Sequence, residues 1–216
     1  MGRRTLAGLL AGTLLATLAA CGSPKPGTFH PGGTALSGNT FLPASPAAGS
    51  GGLTWPPFGS DVHIVMPSWL PGSSREKQAV ITAKDFLLAF LYAEYKGSRD
   101  QRWTSYVSGG GVLDGLKSTL GAPDITTQSF RGTIRFSRMR AFPDPSLNGD
   151  IDVSECFDNS HSENTSLATG KIVPDHTPAD QRYYLNTDVL ARHQGEWHVV
   201  SVYPVIYYPR AKECGP

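Results

Sequence analysis

One carboxylate lies where the sequence would allow acid–base chemistry inside a folded domain. Glu155 falls in phase with apolar neighbours, so that a strand would turn it toward the buried face; these neighbours are Ile151, Val153 and Phe157. Asp188, Tyr92 and Tyr106 are further candidates for a pocket acid, base or hydrogen-bond donor. A bulge that turned Cys156 inward would explain the pattern equally well. The chain contains no diagnostic catalytic triad, metal cluster or phosphate loop.

Residues 144–155 carry oxygen-bearing side chains at the spacing of an EF-hand calcium loop, with Gly149 at the sharp turn. The six positions are Asp144, Ser146, Asn148, Asp150, Asp152 and Glu155. Ser146 departs from the stricter Asp or Asn, and the flanking sequence is poor helix material. Asn148-Gly149 between two alternating runs is also a strong hairpin signal. The sequence predicts a hairpin turn, with calcium binding as the alternative and no metal or cofactor assigned.

A basic stripe runs along the predicted strand 129–142. Its members are Arg131, Arg135, Arg138 and Arg140. Strict alternation divides them between two faces, but a single β-bulge near Ser137 would gather all four on one face and the apolar residues on the other. This face could meet anionic lipid, a wall polymer or an acidic partner. Pairing with the acidic stretch 144–163 is the favoured interpretation.

Composition bounds the number of domains and excludes one class of partner. The chain has 216 residues and a formal net charge of +1, so no basic surplus points to nucleic acid. Its first sixty residues hold only three charged side chains, Arg3, Arg4 and Lys25, and are rich in Gly and Pro. We expect a flexible tether over 21–60 and one folded domain over 61–216.

The first twenty residues have the organisation of an export signal. Arg3 and Arg4 precede the uncharged stretch 6–20, which is too short for a comfortable membrane span. It ends in Leu18-Ala19-Ala20-Cys21, which resembles the bacterial lipobox. The resemblance implies a signal peptide over 1–20 and an extracytoplasmic protein anchored to the cell membrane by acylated Cys21. The alternative is an ordinary secretory peptide in which Cys21 is incidental.

Two further cysteines remain for the exported domain. Cys156 and Cys214 are predicted to form a disulfide, because oxidation is permitted outside the cytoplasm. Two free thiols are the alternative. The disulfide would hold the C-terminal tail beside the strand at 150–158.

The periodicity of apolar residues predicts helices first and strands afterwards. Ser73 and Glu76 form a capping box, which starts a helix over 74–96. Shorter helical patterns cover about 99–107 and 111–120, and strand patterns cover 129–142, 150–158, 181–193 and 196–207. Gln194-Gly195 supplies the last turn. The final strand is apolar on both faces, which predicts a central position, and Pro204 predicts that its far end leaves the ladder.

This order of elements predicts an α+β domain. The pattern resembles the nuclear transport factor 2-like superfamily over about 74–207, and more narrowly its lipid-anchored actinobacterial members. The resemblance rests on the strand 153–158, the closing hairpin 190–199 and a long helix with Ala83, Phe86, Leu87, Ala89 and Tyr92. It implies a cone, in which helices pack on a strongly curved antiparallel sheet of about four strands and enclose a pocket. Because this superfamily includes isomerases, hydratases, small-molecule binders and interaction modules, it selects no activity.

The sequence therefore favours a non-catalytic, lipid-anchored domain that binds an envelope protein or a small apolar ligand. A small pocket enzyme of the isomerase or hydratase type is the alternative, and calcium-dependent binding through 144–155 is the second alternative. A pocket filled by aromatic side chains would argue against the enzyme. A hollow pocket containing Glu155 or Asp188 would favour it.

Overall fold

The computed structural model describes residues 58–67, 72–147 and 149–215. The predicted signal peptide, Cys21 and nearly all of the tether lie outside these residues. The helices are α1 (Ser74–Tyr95), α2 (Gly111–Leu120) and α3 (Pro123–Thr127), with 3-10 turns at Arg102–Tyr106, Ala179–Arg182 and Lys212–Cys214. The strands are β1 (Val62–Val65), β2 (Gln128–Pro143), β3 (Ile151–Ser166), β4 (Tyr183–His193), β5 (Glu196–Val202) and β6 (Ile206–Tyr207). The fold is α+β, as predicted.

Helix α1 begins and ends at residues that satisfy its free backbone groups. The capping box is present, because the Ser73 hydroxyl accepts from the Glu76 amide and the Glu76 carboxylate accepts from the Ser73 amide. Gly97, with φ at +63°, turns the chain away after the last helical residue, and a Cβ there would lie 2.3 Å from Leu167. The buried face of α1 is rich in alanine and covers the sheet.

One six-stranded sheet has the order β1-β2-β3-β4-β5, and β6 pairs with β4. β1 is parallel to β2, and all other neighbours are antiparallel. The register between β3 and β4 is continuous from Ile151 to Asp158. Gln194 and Gly195 both have positive φ at the β4–β5 turn, which confirms the predicted hairpin.

The structure corrects three expectations of elements. It has six strands rather than about four, because β1 adds in parallel to β2 and β6 is a separate short strand. β3 continues to Ser166 rather than ending near 158, since the first half of β2 pairs with this polar segment through its backbone. The helix expected over 99–107 is the shorter 3-10 turn. The chain leaves the ladder after Val202, as Pro204 predicts.

β5 lies at the end of the strand order, so the prediction of a central strand is wrong. Trp197 and Val199 of this strand are nevertheless buried, because the segment after the first 3-10 turn runs along this edge. The amide of Ser108 donates a 2.9 Å hydrogen bond to the carbonyl of Val199, and Val107 forms a parallel bridge there. A covered edge therefore has the same apolar pattern as a central strand.

A disulfide joins Cys156 to Cys214, as predicted, across a sequence separation of 58 residues. It holds the C-terminal segment against the outer face of β3, where both cysteines and Ala211 form a small buried cluster with Leu185 packed beside it. Residues 151–157 of β3 are consequently buried on both faces. Glu155 lies on the inner face of β3, which is turned toward α1.

Candidate functional site

Two carboxylates lie together on the inner face of the sheet and share one hydrogen-bond donor. Glu155 and Asp188 are both 0% exposed. The side-chain amide of Asn186 donates to Oε1 of Glu155 at 2.7 Å and to Oδ1 of Asp188 at 3.2 Å. Strand pairing produces this arrangement, because Asn186 is the direct partner of Glu155, and Asp188 is two residues further along the same face.

The electrostatics of this pair favour protonated carboxyl groups. Burial, followed by the neighbouring Asp188 carboxylate, raises the pKa of Glu155 well above its usual value. Burial raises the pKa of Asp188 to about 7, opposed by the hydrogen bond from Asn186. Oε2 of Glu155 and Oδ2 of Asp188 are buried without a hydrogen-bond partner among the described residues. At neutral pH the site therefore holds at least one proton.

An aromatic pair occupies the next position along the same face. Phe157 and Tyr184 are strand partners whose rings stack with centroids 4.5 Å apart and planes inclined by 19°. Phe136 packs edge-on against Phe157 at 5.0 Å. Phe157 and Tyr184 also line a pocket, whereas Glu155 and Asp188, further along the same two strands, do not.

This pocket has a volume of about 280 Å³ and opens where the end of α1 meets α3 and the sheet. Its principal lining residues are Glu94, Asp124, Phe130, Phe157, Asn159 and Tyr184. Burial, and then the Asp124 carboxylate, raise the pKa of Glu94 to about 7. Burial, and then Glu94, Tyr207 and Glu155, raise the pKa of Tyr184 above its usual range. The Tyr184 phenol is thus within electrostatic reach of both the pocket acid and the buried pair.

A larger pocket of about 630 Å³ lies over the first half of β2 and the second half of β3, and four of its charged side chains form two ion pairs. Arg131 contacts Glu163 at 2.9 Å, and Arg182 contacts Asp175 at 3.0 Å. Since both arginines of this pocket already have a carboxylate partner, the smaller pocket is the better candidate.

The two candidate tyrosines lie in different packing environments. Tyr92 packs against Phe58, with ring centroids 5.3 Å apart, and against the side chains of Lys96 and Arg102. Tyr106 belongs to the main hydrophobic core. Burial, and then the Asp85 carboxylate, raise the pKa of Tyr106 to about 12. The structure thus brings Glu155 and Asp188 together and places Tyr92 among other aromatic residues.

The acidic segment 144–155 forms the predicted β-hairpin, because β2 and β3 flank it as antiparallel strands. Oδ1 of Asp144 accepts hydrogen bonds from the amide and hydroxyl of Ser146, both at 2.6 Å, which lower its pKa. Burial, and then Asp144, raise the pKa of Asp152 to about 6. Asn148 lies outside the described residues, and Glu155 is inside the strand. No group of three or more described His, Cys, Asp or Glu residues is arranged to hold a metal ion.

The predicted bulge in the arginine-rich strand is present. The register between β2 and β3 shifts between Ser137 and Arg140, and Arg138 has a φ of 50°. The shift keeps Met139 buried with Ile134 and Phe136 on the inner side. The other side is exposed at Arg135, Arg138 and Arg140, and Arg131 pairs with Glu163. One of the four arginines thus has the expected acidic partner.

Sequence reasoning missed Asn186 and Glu94. Asn186 was in phase with Asp188 on a predicted strand, so that alternation would have placed it on the inner face. Glu94 occupies the polar end of α1, and no local pattern distinguishes it from a solvent-exposed acid. Its role follows only from the packing of α3 and β4 against that end of the helix.

Comparison with protein-family models and with curated proteins finds no match. No protein-family model matches the sequence, and no curated protein is significantly similar to it. None of the helices in the described part of the chain has both the length and the apolarity of a membrane span. The site itself therefore carries the functional argument.

Proposed function

We propose that this chain is an extracytoplasmic protein anchored to a membrane through acylated Cys21, and that its domain binds a small ligand without catalysing a reaction. The lipobox-like sequence before Cys21 and the tether supply the first half of the proposal. The disulfide between Cys156 and Cys214 supports it, because structural disulfides persist in oxidising compartments. We assign the ligand to the 280 Å³ cavity beside Glu94.

The observation that carries the binding function is the position of the Phe157–Tyr184 stack. Glu155 and Asp188, two carboxylates with raised pKa values, are fully buried further along the strands than this stack and line neither of the two pockets described above. A catalytic acid or base must come within hydrogen-bond reach of its substrate. A ligand in the smaller pocket would instead meet the aromatic rings, Glu94 and the amide of Asn159.

A pocket enzyme of the isomerase or hydratase type is the second candidate, and one observation favours it. The pKa of Asp188 is raised to about 7, which suits a group that exchanges protons near neutral pH. Asp188 could act in this way only if the Phe157–Tyr184 stack opened, whereas Glu94, whose pKa is also raised to about 7, already lines the pocket. An enzyme acting through Asp188 would lose turnover on Asp188→Asn, whereas a binding domain would keep its ligand affinity.

Anchoring is tested by expressing the full chain and its Cys21→Ser variant in a bacterium that makes lipoproteins. We expect the parent chain in the membrane fraction, labelled by a fatty acid analogue. The variant should be unlabelled and released into the soluble extracytoplasmic fraction. The matched control is the double variant Cys156→Ser and Cys214→Ser, which removes two thiols and should remain labelled. Equal membrane retention of the parent and Cys21→Ser chains, with no label on either, would contradict anchoring.

A further inference from the structure

We propose that the pocket beside Glu94 binds a small organic cation, such as the ammonium group of a short aliphatic amine. This inference rests on the proposed binding function and specifies its ligand class. Three observations support it: the charge of the pocket wall, two hydrogen-bond acceptors of pocket residues that have no donor, and the aromatic side chains beside them.

The pocket wall has carboxylates and no basic side chain. Glu94 comes from α1 and Asp124 comes from α3, and none of the described residues lining this pocket is lysine, arginine or histidine. The larger pocket differs in this respect, since Arg131 and Arg182 line it and pair with two of its acids, Glu163 and Asp175. A cavity with two carboxylates and no counter-charge repels anions and attracts cations.

Two acceptor groups of the pocket residues have no donor. Among the described residues, the Glu94 carboxylate takes part in no hydrogen bond or ion pair. Oδ1 of Asn159 is inaccessible to solvent and has no hydrogen-bond partner there. A charged N–H group is the partner that compensates a carboxylate best. A ligand that donates N–H bonds from within the pocket would therefore pair with Glu94.

The remaining wall suits the apolar part of an amine. Phe130, Phe157 and Tyr184 line the cavity together with Leu91 and Ile134. Aromatic surfaces attract ammonium groups, and aliphatic surfaces accommodate a short hydrocarbon chain. The volume of about 280 Å³ is at the lower end of the range for ligand pockets, which favours a small molecule over a peptide or nucleotide. A metal ion fits less well, because no metal-binding group of three occurs in the described part of the chain.

The test uses the full chain carrying Cys21→Ser and three probes of equal length: n-butylammonium, n-butanol and n-butyrate. Binding is measured near pH 8, above the pKa of Glu94 of about 7, from shifts of backbone and side-chain amide resonances in ¹H–¹⁵N spectra. We expect n-butylammonium to shift the amides of Asn159 and Gln128. It should bind at least about tenfold more tightly than n-butanol, a difference of about 1.4 kcal/mol, and n-butyrate should not bind.

Variants identify the group responsible. Glu94→Gln keeps the shape of the side chain and should remove the tenfold preference for n-butylammonium over n-butanol. The matched control is Asp114→Asn, which removes an exposed carboxylate of α2 that does not line the pocket and should leave the preference unchanged. Unchanged far-UV circular dichroism of Glu94→Gln shows that the fold is retained.

The possible results separate this inference from the proposed function. Equal affinity for n-butanol and n-butylammonium, or a preference that survives in Glu94→Gln, overturns the cation inference and leaves the pocket as a ligand site. The absence of pocket shifts with all three probes at tens of millimolar overturns both the cation inference and the assignment of this pocket as the ligand site. Membrane anchoring is measured independently through Cys21.

Discussion

Asn186 donates a 2.7 Å hydrogen bond to Glu155 at the centre of the inner sheet face, and both side chains are buried. The same amide nitrogen also serves Asp188 at 3.2 Å, so that one NH₂ group supports two carboxyl groups. Because no further donor among the described residues reaches the remaining oxygens, full ionisation would leave two close negative charges out of water. The protonation of this pair therefore couples to folding.

The first prediction is that this pair makes the fold less stable as pH rises. The pKa of Asp188 is about 7 in the folded chain, against an ordinary value of 3.8. The folded state retains a proton that the unfolded state releases, so the stabilisation is complete below about pH 4 and declines as pH rises through 7. At about 1.4 kcal/mol per pKa unit, the free energy of unfolding should fall by on the order of a few kcal/mol over this pH range. Denaturant unfolding of the Cys21→Ser chain between pH 4 and 8 measures it.

A substitution separates Asp188 from the other acids. Asp188→Asn resembles the protonated carboxyl group, so it should unfold at higher denaturant concentration than the parent near pH 8 and at a similar concentration near pH 4. Asp180→Asn, which changes an exposed acid, is the control and should follow the parent at both pH values. Identical pH profiles of the Asp188→Asn and parent chains would contradict the prediction. The comparison is needed because other carboxyl groups have lowered pKa values and act in the opposite direction, namely Glu76, Asp100, Asp144 and Asp175.

Local features of the fold could be predicted from the sequence because neighbouring residues determine them. The capping box needs only Ser73 and Glu76, the last hairpin needs Gln194-Gly195, and the bulge follows from the phase change of apolar residues around Ser137. These features are present in the structure. The disulfide was predictable for a different reason: once Cys21 was assigned to the lipid, only two cysteines remained.

Features that depend on distant pairing could not be predicted in the same way. The polar half of β3, ending at Ser166, is a strand because β2 offers it a backbone partner. β1 is parallel to β2, and four residues carry too little pattern to reveal that pairing. The pocket beside Glu94 exists only because α1, α3, β2, β3 and β4 meet there. Alternation could place Glu155 on the inner face, but not identify its donor.

The second prediction concerns the Cys156–Cys214 disulfide. On the chain-entropy model, a cross-link spanning 58 residues stabilises the fold by about 4 kcal/mol. The double variant Cys156→Ala and Cys214→Ala should lose stability of this order in urea unfolding. The tail should also become accessible to trypsin at Arg210 and Lys212, which are exposed beside the buried Ala211. An unchanged rate of tryptic cleavage at these two sites would show that packing alone, and not the disulfide, holds the tail.

Reduction supplies the control for this variant. The Cys21→Ser chain treated with a thiol reductant should unfold at the same urea concentration as the double variant, because both lack the cross-link while keeping the rest of the sequence. A reduced chain that remains as stable as the oxidised chain would show that the disulfide contributes little. A reduced chain that is less stable than the double variant would instead show that burying two free thiols itself lowers the free energy of unfolding.

The third prediction concerns the bulge at Arg138. Its φ of 50° is in the left-handed region, where an ordinary residue is strained by roughly 1 kcal/mol and glycine is not. Arg138→Gly should therefore raise the free energy of unfolding by about 0.5–1 kcal/mol, despite the greater freedom of glycine in the unfolded chain. Arg138→Val should lower it, because a β-branched side chain is disfavoured at positive φ. Urea unfolding of the two variants measures both changes.

Deletion of Arg138 tests why the bulge exists. Without the extra residue, Met139 follows Ser137 directly, so that Phe136, Met139 and Ala141 alternate regularly on the inner side and the pairing with β3 has no register shift there. Met139, which is 1% exposed, therefore stays in the core, and the deletion should cost much less than the roughly 2–5 kcal/mol lost with one large core side chain. Deletion of Gly170, at an exposed turn where an added Cβ would meet no other atom, is the control and should cost a similarly small amount in urea unfolding. An Arg138 deletion that costs several kcal/mol more than the Gly170 deletion would show that the bulge does more than accommodate one extra residue.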